Sequence, residues 1–233
     1  MTEREYLIAS YSFVSFGPER IRLLEEHFGS YGNIWKAKKS QLIKTGLNKR
    51  LVEEFEGYRK RFNAKKFFNR LDGQGIKTVT VADGNYPANL KGLMDAPCVL
   101  FYRGGLKDSD EKSVAIVGSR KMSMYGREVT DRFAKELAGS GITIVSGLAF
   151  GVDTQAHKSA LAVEGRCIAV LASGVDNITP RTNEWIGTSI IDSGGAVVSE
   201  YPPGTQPQRA FFPYRNRIIS GLSKAVVIVE GMI

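Results

Sequence analysis

From residue 114 onward, short apolar runs alternate with longer segments of helical periodicity, and no other feature of the chain constrains its fold as strongly. The runs are rich in β-branched residues and lack the alternating polar residues of a strand that has one face in water. They occupy residues 114–117, 142–145, 167–171, 196–198 and 225–229. Such strands are buried on both faces, as in a parallel sheet flanked by helices. The sequence therefore predicts an α/β fold with a Rossmann-like, doubly wound, mostly parallel sheet.

Helical segments between the runs complete this pattern. They lie at residues 123–138, 153–163, 183–192 and, more briefly, near 216–222. Two earlier apolar runs, at 76–81 and 97–102, are bounded by proline or glycine residues and are predicted to be short strands. We therefore expect an extended Rossmann-like domain over residues 73–233.

Residues 1–72 differ from the rest, because their apolar side chains recur at helical spacing, as at Ile21, Leu24 and Phe28. They are predicted to form a small all-helical domain. Its last segment, 59–70, carries six basic residues with three phenylalanines among them. That segment is either a solvated helix with an aromatic inner face or an auxiliary phosphate-binding face.

Composition narrows the functional classes. The 233 residues carry 32 lysines and arginines against 24 aspartates and glutamates, a net charge of +8 that is compatible with binding nucleic acid. Two cysteines and two histidines are too few for a disulfide framework or a structural zinc site, so no metal is predicted. No cofactor is predicted either. No apolar run approaches the roughly 18 residues of a membrane helix, and the start MTEREYLIAS lacks the features of a signal peptide. We therefore expect a cytoplasmic location.

Small and polar residues follow four of the predicted strands, at the edge where doubly wound sheets bind ligands. They are Gly118-Ser119-Arg120, Ser146-Gly147, Ser173-Gly174 and Ser199-Glu200. Glycine and serine at such positions present backbone N–H groups to an anion, and an arginine adds a charge that binds phosphate. Any one of these loops is explained as a tight turn, but four together with Arg120 favour a phosphate-bearing ligand.

Motifs of the common nucleotide-binding enzymes are absent from the sequence. Neither the P-loop pattern nor the dinucleotide pattern follows the first strand, which argues against a standard NTPase and against NAD binding. Ser146, Asp153 and His157 suggest a triad, but Asp153 and His157 lie four residues apart on one predicted helix, where an N-cap aspartate and a facing histidine pair. Glu200 and Glu230, each at a strand end, either act as a base or accept hydrogen bonds from loop amides. No catalytic residue is predicted.

Residues 211–221, FFPYRNRIISG, combine aromatic rings with two arginines and an asparagine. Rings stack on unpaired bases, arginines contact phosphates and asparagine reads a base edge, so the segment suits a single-stranded nucleic acid. The other interpretation is a loop that caps the following helix, with its arginines bridging to acidic loop residues. The residues alone leave both interpretations open.

Five blocks of sequence resemble the DprA/Smf family of DNA-processing proteins in order and spacing. They are YPANLKGLMDAPCVLFYRG (86–104), GSR (118–120), SGLAFGVDTQAH (146–157), VLASGVD (170–176) and FPYRNRIISGLS (212–223). The helical N-terminus is similar to that family's sterile-alpha-motif-like domain. The resemblance implies a protein that binds single-stranded DNA without evident catalysis, dimerises, protects incoming strands during natural transformation and helps to load the recombinase RecA.

The resemblance also implies which residues line the DNA pocket. They are Gly118, Ser119, Arg120, Ser146, Gly147, Phe212, Arg215, Asn216 and Arg217. The loop pattern adds Gly174 as a phosphate-binding residue.

Two departures from the family pattern bear on these expectations. Thr179-Pro180 stands where the family has a Tyr-Pro pair, and the family continues beyond Glu230 with a Ser-Gly-rich loop, a helix and further strands. We therefore expect an incomplete Rossmann-like domain, with consequences for dimerisation and RecA contact. The alternative function is a nucleotide- or nucleotide-derivative-binding enzyme or sensor on a related fold. Hydrolases of the cytokinin-activating type are an example, but their PGGxGTxxE-like loop is absent here.

Overall fold

A computed structural model describes residues 1–231 of the chain, and the first 73 of these form six helices. Side-chain caps fix several of the helix starts. Thr2, for example, accepts a hydrogen bond from Glu5 N at 3.2 Å, while the Glu5 carboxylate accepts one from Thr2 N at 2.7 Å. The helices are α1 (Glu3–Tyr11), α2 (Pro18–Phe28), α3 (Tyr31–Lys36), α4 (Lys39–Lys44), α5 (Lys49–Arg61) and α6 (Ala64–Gly73).

Aromatic and aliphatic side chains fill the centre of this helical region. The ring centroids of Phe16 and Phe55 lie 4.5 Å apart, and both rings are almost completely buried. Ile21 and Leu24 belong to the same buried cluster. The spacing of apolar residues therefore correctly predicted several short helices packed together.

Residues 77–229 contribute seven strands to one mixed sheet. The strands are β1 (Lys77–Thr80), β2 (Val99–Gly104), β3 (Ser113–Gly118), β4 (Thr143–Ser146), β5 (Cys167–Val170), β6 (Ala196–Ser199) and β7 (Ala225–Val229). Their order is β1-β2-β6-β5-β4-β3-β7, in which the last five are mutually parallel. At one edge, β2 pairs antiparallel with β6 and β1 pairs antiparallel with β2. The predicted Rossmann-like, doubly wound, mostly parallel sheet is confirmed.

Helices cover both faces of the sheet. They are α7 (Ala88–Lys91), α8 (Met124–Gly139), α9 (Val152–Leu161), α10 (Glu184–Asp192) and α11 (Phe211–Leu222). One buried cluster joins α8, α9 and α10 to the sheet, and another lies beneath α7 and α11. β4, β5 and β6 are buried along their whole length, as their unbroken apolar runs predict. No helix within residues 1–231 combines the length and the apolar composition that crossing a membrane requires.

Two elements differ from the sequence prediction. α11 begins at Phe211 rather than near residue 216. Pro213 does not prevent this earlier start, because it lies in the first turn of the helix, where a missing N–H breaks no helical hydrogen bond. β7 is an edge strand of the sheet, and its Val226 and Ile228 side chains are 43% and 68% exposed. The run of β-branched residues predicted this strand correctly, but the prediction that the strand is buried on both faces was wrong.

The predicted domain boundary after residue 72 falls at the end of α6, whose last residue is Gly73, shortly before β1. Side chains from both sides of it share one buried cluster, which includes Ile8 and Phe55 from the helices and Phe101 from β2. Arg4 in α1 also pairs with Asp83, which follows β1, at 3.0 Å. The division of the chain at this boundary stays a prediction, because the shared cluster shows packing and does not show whether either part folds alone.

Candidate nucleic-acid interface

The parallel strands end at a common edge, where the loops after β3, β4 and β5 meet the first turn of α11. The strand order reverses at β3, because the chain runs through β4, β5 and β6 on one side and returns to β7 on the other. Doubly wound sheets bind ligands at such a switch point. Two adjoining clefts lie at this edge, and both include Arg120 and Arg215.

Gly118 ends β3 where the backbone of β7 passes close to it. A Cβ atom added at Gly118 would lie 1.8 Å from the carbonyl oxygen of Val229, far inside contact distance. Ser119 N donates a hydrogen bond to the same oxygen at 3.2 Å. The Gly118-Ser119 turn thus holds β3 against β7 and carries Arg120 outward.

Arg120 and Phe212 form an accessible pair of a cation and an aromatic ring. The guanidinium carbon of Arg120 lies 5.3 Å from the centroid of the Phe212 ring, and Arg120 is exposed. Both side chains line one cleft together with Gly147, Phe150 and Ser173, and we call it the Arg120 cleft. Phe150 is 52% exposed, so this cleft offers a positive charge beside two rings that solvent reaches.

The second cleft, on the far side of Arg120, is the switch-point cleft. Gly118, Asn216 and Ser220 line it together with Arg120. Asn216 is exposed, and its side-chain oxygen accepts a hydrogen bond from Arg215 Nε at 3.2 Å. The Asn216 amide therefore presents its NH₂ group as the donor for a ligand.

Arg215 lies at the floor of both clefts and is only 4% exposed. Its Nη1 donates to the carbonyl oxygen of Gly147 at 2.8 Å and also to that of Val170. A Cβ atom at Gly147 would lie 2.5 Å from this guanidinium, so the loop after β4 accommodates Arg215 only with glycine there. Burial lowers the pKa of Arg215, and the Asp153 carboxylate opposes that change. Arg215 ties the end of β4 to the end of β5, and its contact with DNA stays a prediction.

Arg217 is also held inside the protein. Its guanidinium pairs with Asp95 at 3.2 Å and with the Glu200 carboxylate, and the Tyr11 hydroxyl donates to Glu200 at 3.2 Å. Burial raises the pKa of the Glu200 carboxyl, and the charge of Arg217 opposes that rise. Glu200 was predicted to act as a base or to accept hydrogen bonds from loop amides. It instead accepts from the side chains of Tyr11 and Arg217. The Arg217–Glu200 pair is the bridge to an acidic loop residue that one of the two interpretations of residues 211–221 predicted.

Ser146, Asp153 and His157 do not form a hydrogen-bonded triad. Ser146 Oγ donates to a carbonyl oxygen of β3 at 2.6 Å, and Asp153 accepts from Gly147 N at 3.2 Å. His157 is fully buried and neither ring nitrogen has a partner among the described residues, so burial lowers its pKa to about 4. The predicted pairing of Asp153 with His157 is wrong, since Gly151 caps α9 and Asp153 turns back toward the preceding loop. Within residues 1–231, no three His, Cys, Asp or Glu side chains converge as metal ligands would.

Gly174 and Glu230 have structural partners of their own. Gly174 N donates to Thr205 O at 3.0 Å, and a Cβ atom at Gly174 would lie 2.8 Å from the carbonyl oxygen of Pro202. Gly174 lines neither of the two clefts. Glu230 accepts from Ser123 N at 2.9 Å, and hydrogen bonds from Ser123 lower its pKa. The prediction that Glu230 accepts from a loop amide is confirmed.

Sequence reasoning missed three cations in the loops of this edge. Lys121, Arg181 and Arg209 are all exposed and follow β3, β5 and β6 respectively. They lie farther along the loops than the small and polar residues that immediately follow each strand. The signal that identifies them is a basic residue anywhere in a loop between a parallel strand and the next helix.

Segment 59–70 reaches the same edge of the sheet. Arg70 pairs with Asp176, in the loop after β5, at 2.8 Å. Arg59 instead turns inward and donates to Ala37 O at 3.0 Å. The remaining basic residues of the segment are exposed: Lys60, Arg61, Lys65 and Lys66. Four exposed charges on this segment are compatible with the auxiliary phosphate-binding face, which stays a prediction.

Known proteins are similar to this chain in sequence. The family model of DNA recombination-mediator protein A matches residues 77–232. Protein Smf of a Synechocystis species is 37% identical over 99% of this chain and 59% of its own length. The DNA processing protein DprA of Bacillus subtilis is 41% identical over 68% of this chain and 53% of its own length. The chain thus spans a little more than half the length of these curated relatives.

Two solved structures resemble the fold. DNA processing protein A of Streptococcus pneumoniae superposes with a TM-score of 0.77 at 31% identity, over 100% of this chain and 79% of that one. DNA processing protein A of Helicobacter pylori, described for its single-stranded DNA binding mode, gives 0.58 at 34% identity, over 66% of this chain and 68% of that one. The family match extends over the whole sheet, both clefts and α11. This chain belongs to the family of DNA recombination-mediator protein A.

Proposed function

We propose that this chain binds single-stranded DNA at the carboxyl edge of its sheet and acts as a recombination mediator rather than as an enzyme. The observation that carries the proposal is the exposed Arg120 guanidinium, 5.3 Å from the Phe212 ring, in one cleft. A positive charge for phosphate and a ring for an unpaired base are the two elements of single-strand binding. The Helicobacter pylori relative, described by its single-stranded DNA binding mode, supports the same ligand class.

The predicted site residues divide into two groups in this proposal. Arg120 and Phe212 contact phosphate and base, Asn216 donates to a base edge, and the Gly118-Ser119 turn sets the path of the strand. The others act by position and not by contact, since their polar groups are buried or paired within the protein. These are Ser146, Gly147, Gly174, Arg215 and Arg217.

A binding role fits the chemistry of the edge better than a catalytic one. Ser146 Oγ is buried and donates to backbone, and His157 is not bonded to it or to Asp153. A nucleophile needs a base that receives its proton, whereas Ser146 donates its proton to the Ile116 carbonyl oxygen.

Membership of the family extends the proposal to partners and location. We infer that the chain protects incoming single strands during natural transformation, helps to load RecA and does so as a homodimer in the cytoplasm. The +8 net charge favours association with nucleic acid in general. The exposed cations of segment 59–70 extend the positive surface away from the clefts.

The experiment is fluorescence anisotropy of labelled single strands and duplexes with the whole chain, across a range of salt concentrations. Single strands are expected to bind more tightly than duplexes, because base stacking on Phe212 requires an unpaired base. Arg120→Ala is expected to weaken binding by about 10- to 100-fold, the effect of losing a charge-assisted hydrogen bond of roughly 1.5–3 kcal/mol. It also lowers the salt dependence by about 0.7 in the slope of log affinity against log salt.

Arg132→Ala is the matched control. Arg132 is an exposed arginine on α8 whose Nε pairs with Glu136 at 2.9 Å, and its loss is expected to leave affinity unchanged. An Arg120→Ala protein that binds like the unmodified chain would refute the site, and equal affinity for duplex would refute the ligand. Turnover of a nucleotide derivative would instead favour the enzyme or sensor alternative.

A further inference from the structure

Another cleft borders the first turn of α11, between that turn and the segment that joins α1 to α2. We call it the α1–α2 cleft. Its cavity volume is about 340 Å³, at the low end of the roughly 300–1,000 Å³ typical of small-molecule sites. Its walls include Phe16, Arg20, Glu200, Tyr201, Phe211 and Tyr214.

Aromatic rings form much of this wall. Tyr201 and Phe211 stack with ring centroids 4.2 Å apart and planes 21° apart. Tyr214 is 43% exposed, and the Arg217 guanidinium lies 4.5 Å from the centroid of its ring. A cleft with flat apolar walls accepts a flat heteroaromatic group.

Glu200 supplies an unsatisfied polar group to the same cleft. The residue is 5% exposed, and its Oε2 accepts hydrogen bonds from both Tyr11 and Arg217. Its Oε1 is buried without a partner among residues 1–231. A buried carboxylate oxygen without a donor is costly, and an N–H group of a ligand would satisfy it.

The first turn of α11 lies between this cleft and the Arg120 cleft. Phe211 lines the α1–α2 cleft, and the next residue, Phe212, lines the Arg120 cleft. Arg20 is exposed and lines the α1–α2 cleft, where it offers a charge for a phosphate. A single strand anchored at Arg120 therefore needs to cross only one helical turn to reach the second set of rings.

We propose that the α1–α2 cleft holds a nucleobase of the strand that Arg120 anchors, with Tyr214 and Phe211 beside the base and Glu200 Oε1 accepting a hydrogen bond from its edge. This inference rests on the proposed function. Guanine suits the site best, since its two N–H donors lie side by side and either of them can donate to the single unpaired oxygen, Oε1. Thymine suits it least, because two carbonyl oxygens flank its single N–H and repel the carboxylate.

The first test measures the anisotropy of deoxyadenosine oligonucleotides, whose bases carry an N–H₂ donor, at lengths of about four and about twelve nucleotides, which span the range of single-strand site sizes. Tyr214→Ala is expected to weaken the longer oligonucleotide by about tenfold, the effect of losing one stacked base. It should leave the shorter one, which fills only the Arg120 cleft, unchanged. Phe133→Ala is the matched control, because Phe133 on α8 is also 43% exposed, and it should change neither.

The outcomes separate this inference from the proposed function. If Tyr214→Ala weakens both lengths equally, or neither, the second base site is overturned. Arg120→Ala is expected to weaken both lengths. If it weakens neither, the proposed function itself fails, whatever the Tyr214 variant does.

The second test substitutes one guanosine at successive positions of the longer oligonucleotide. Unmodified protein is expected to bind more tightly when the guanosine reaches one particular position. Glu200→Gln, which keeps the shape of the side chain but removes its charge, is expected to lose this preference. A preference that persists in Glu200→Gln, or that is missing from the unmodified protein, overturns the role of Glu200.

Discussion

Arg215→Ala removes a buried guanidinium that joins the ends of two neighbouring strands. The carbonyl oxygens of Gly147 and Val170 both lose their donor, and each unsatisfied buried acceptor costs about 1–3 kcal/mol. Asp153, which is 6% exposed, loses a nearby positive charge as well. We expect the free energy of unfolding to fall by about 3–5 kcal/mol, the usual cost of removing one member of a buried charged network.

Urea denaturation followed by tryptophan fluorescence measures this loss. Arg215→Lys should fall between the unmodified protein and Arg215→Ala, because lysine keeps the charge but lacks the planar fork that reaches two carbonyls. Arg132→Ala should cost less than about 0.5 kcal/mol, since its surface pair with Glu136 contributes little.

The opposite pattern would refute the structural role of Arg215. If Arg215→Ala lowers the free energy of unfolding by less than about 1 kcal/mol yet abolishes DNA binding, Arg215 is a direct ligand contact. If stability falls as expected, binding to single strands is lost because the loop after β4 moves, and Arg215→Lys should recover part of the stability and part of the binding together.

Two further predictions follow from buried groups. The unfolding free energy of the unmodified protein should fall by about 1.4 kcal/mol per pH unit from pH 6.5 down to about 4 relative to His157→Leu. The reason is that the histidine of the unfolded chain takes up a proton in this range, whereas buried His157, with its pKa of about 4, does not. Urea denaturation of both proteins at several pH values measures the difference, and an equal dependence of the free energy of unfolding on pH in the two proteins would contradict the prediction. Gly118→Ala should lower the free energy of unfolding by about 2 kcal/mol or more, because the new Cβ atom meets the Val229 carbonyl oxygen. Gly139→Ala is the control and should lower it by nothing, since a Cβ atom there meets nothing within 4 Å. Thermal denaturation measures both variants, and equal losses would show that β3 and β7 separate readily.

The sheet could be predicted from the sequence because its signal is local. An apolar run such as residues 167–171 has no polar face, and a strand without a polar face has to be covered on both sides. The same rule failed for β7, since burial depends on which elements pack against a strand and not on the strand's own residues. The start of α11 was missed for a related reason, because Pro213 is read as a loop residue unless its place in the first helical turn is known.

The site could be predicted only as a set of loops. Arg120, Arg215 and Arg217 have the same side chain, but their partners come from distant parts of the chain. Arg215 bonds to Gly147 and is buried, Arg217 bonds to Glu200 and is largely covered, and Arg120 is left at the surface. Sequence gives the charge of an arginine, and only the folded chain decides whether that charge meets solvent, backbone or a carboxylate.

The pairing of β3 with β7 also determines when the ligand-binding edge can form. β3 is the first of the parallel strands to leave the ribosome and β7 is the last, and Val114 pairs with Ala225. Contacts between such distant segments require most of the intervening chain to be ordered first. The switch-point cleft, which includes Gly118 and Val226, therefore appears late in folding. The DNA contact proposed for this cleft therefore has to wait until β7 has been synthesised and has docked against β3.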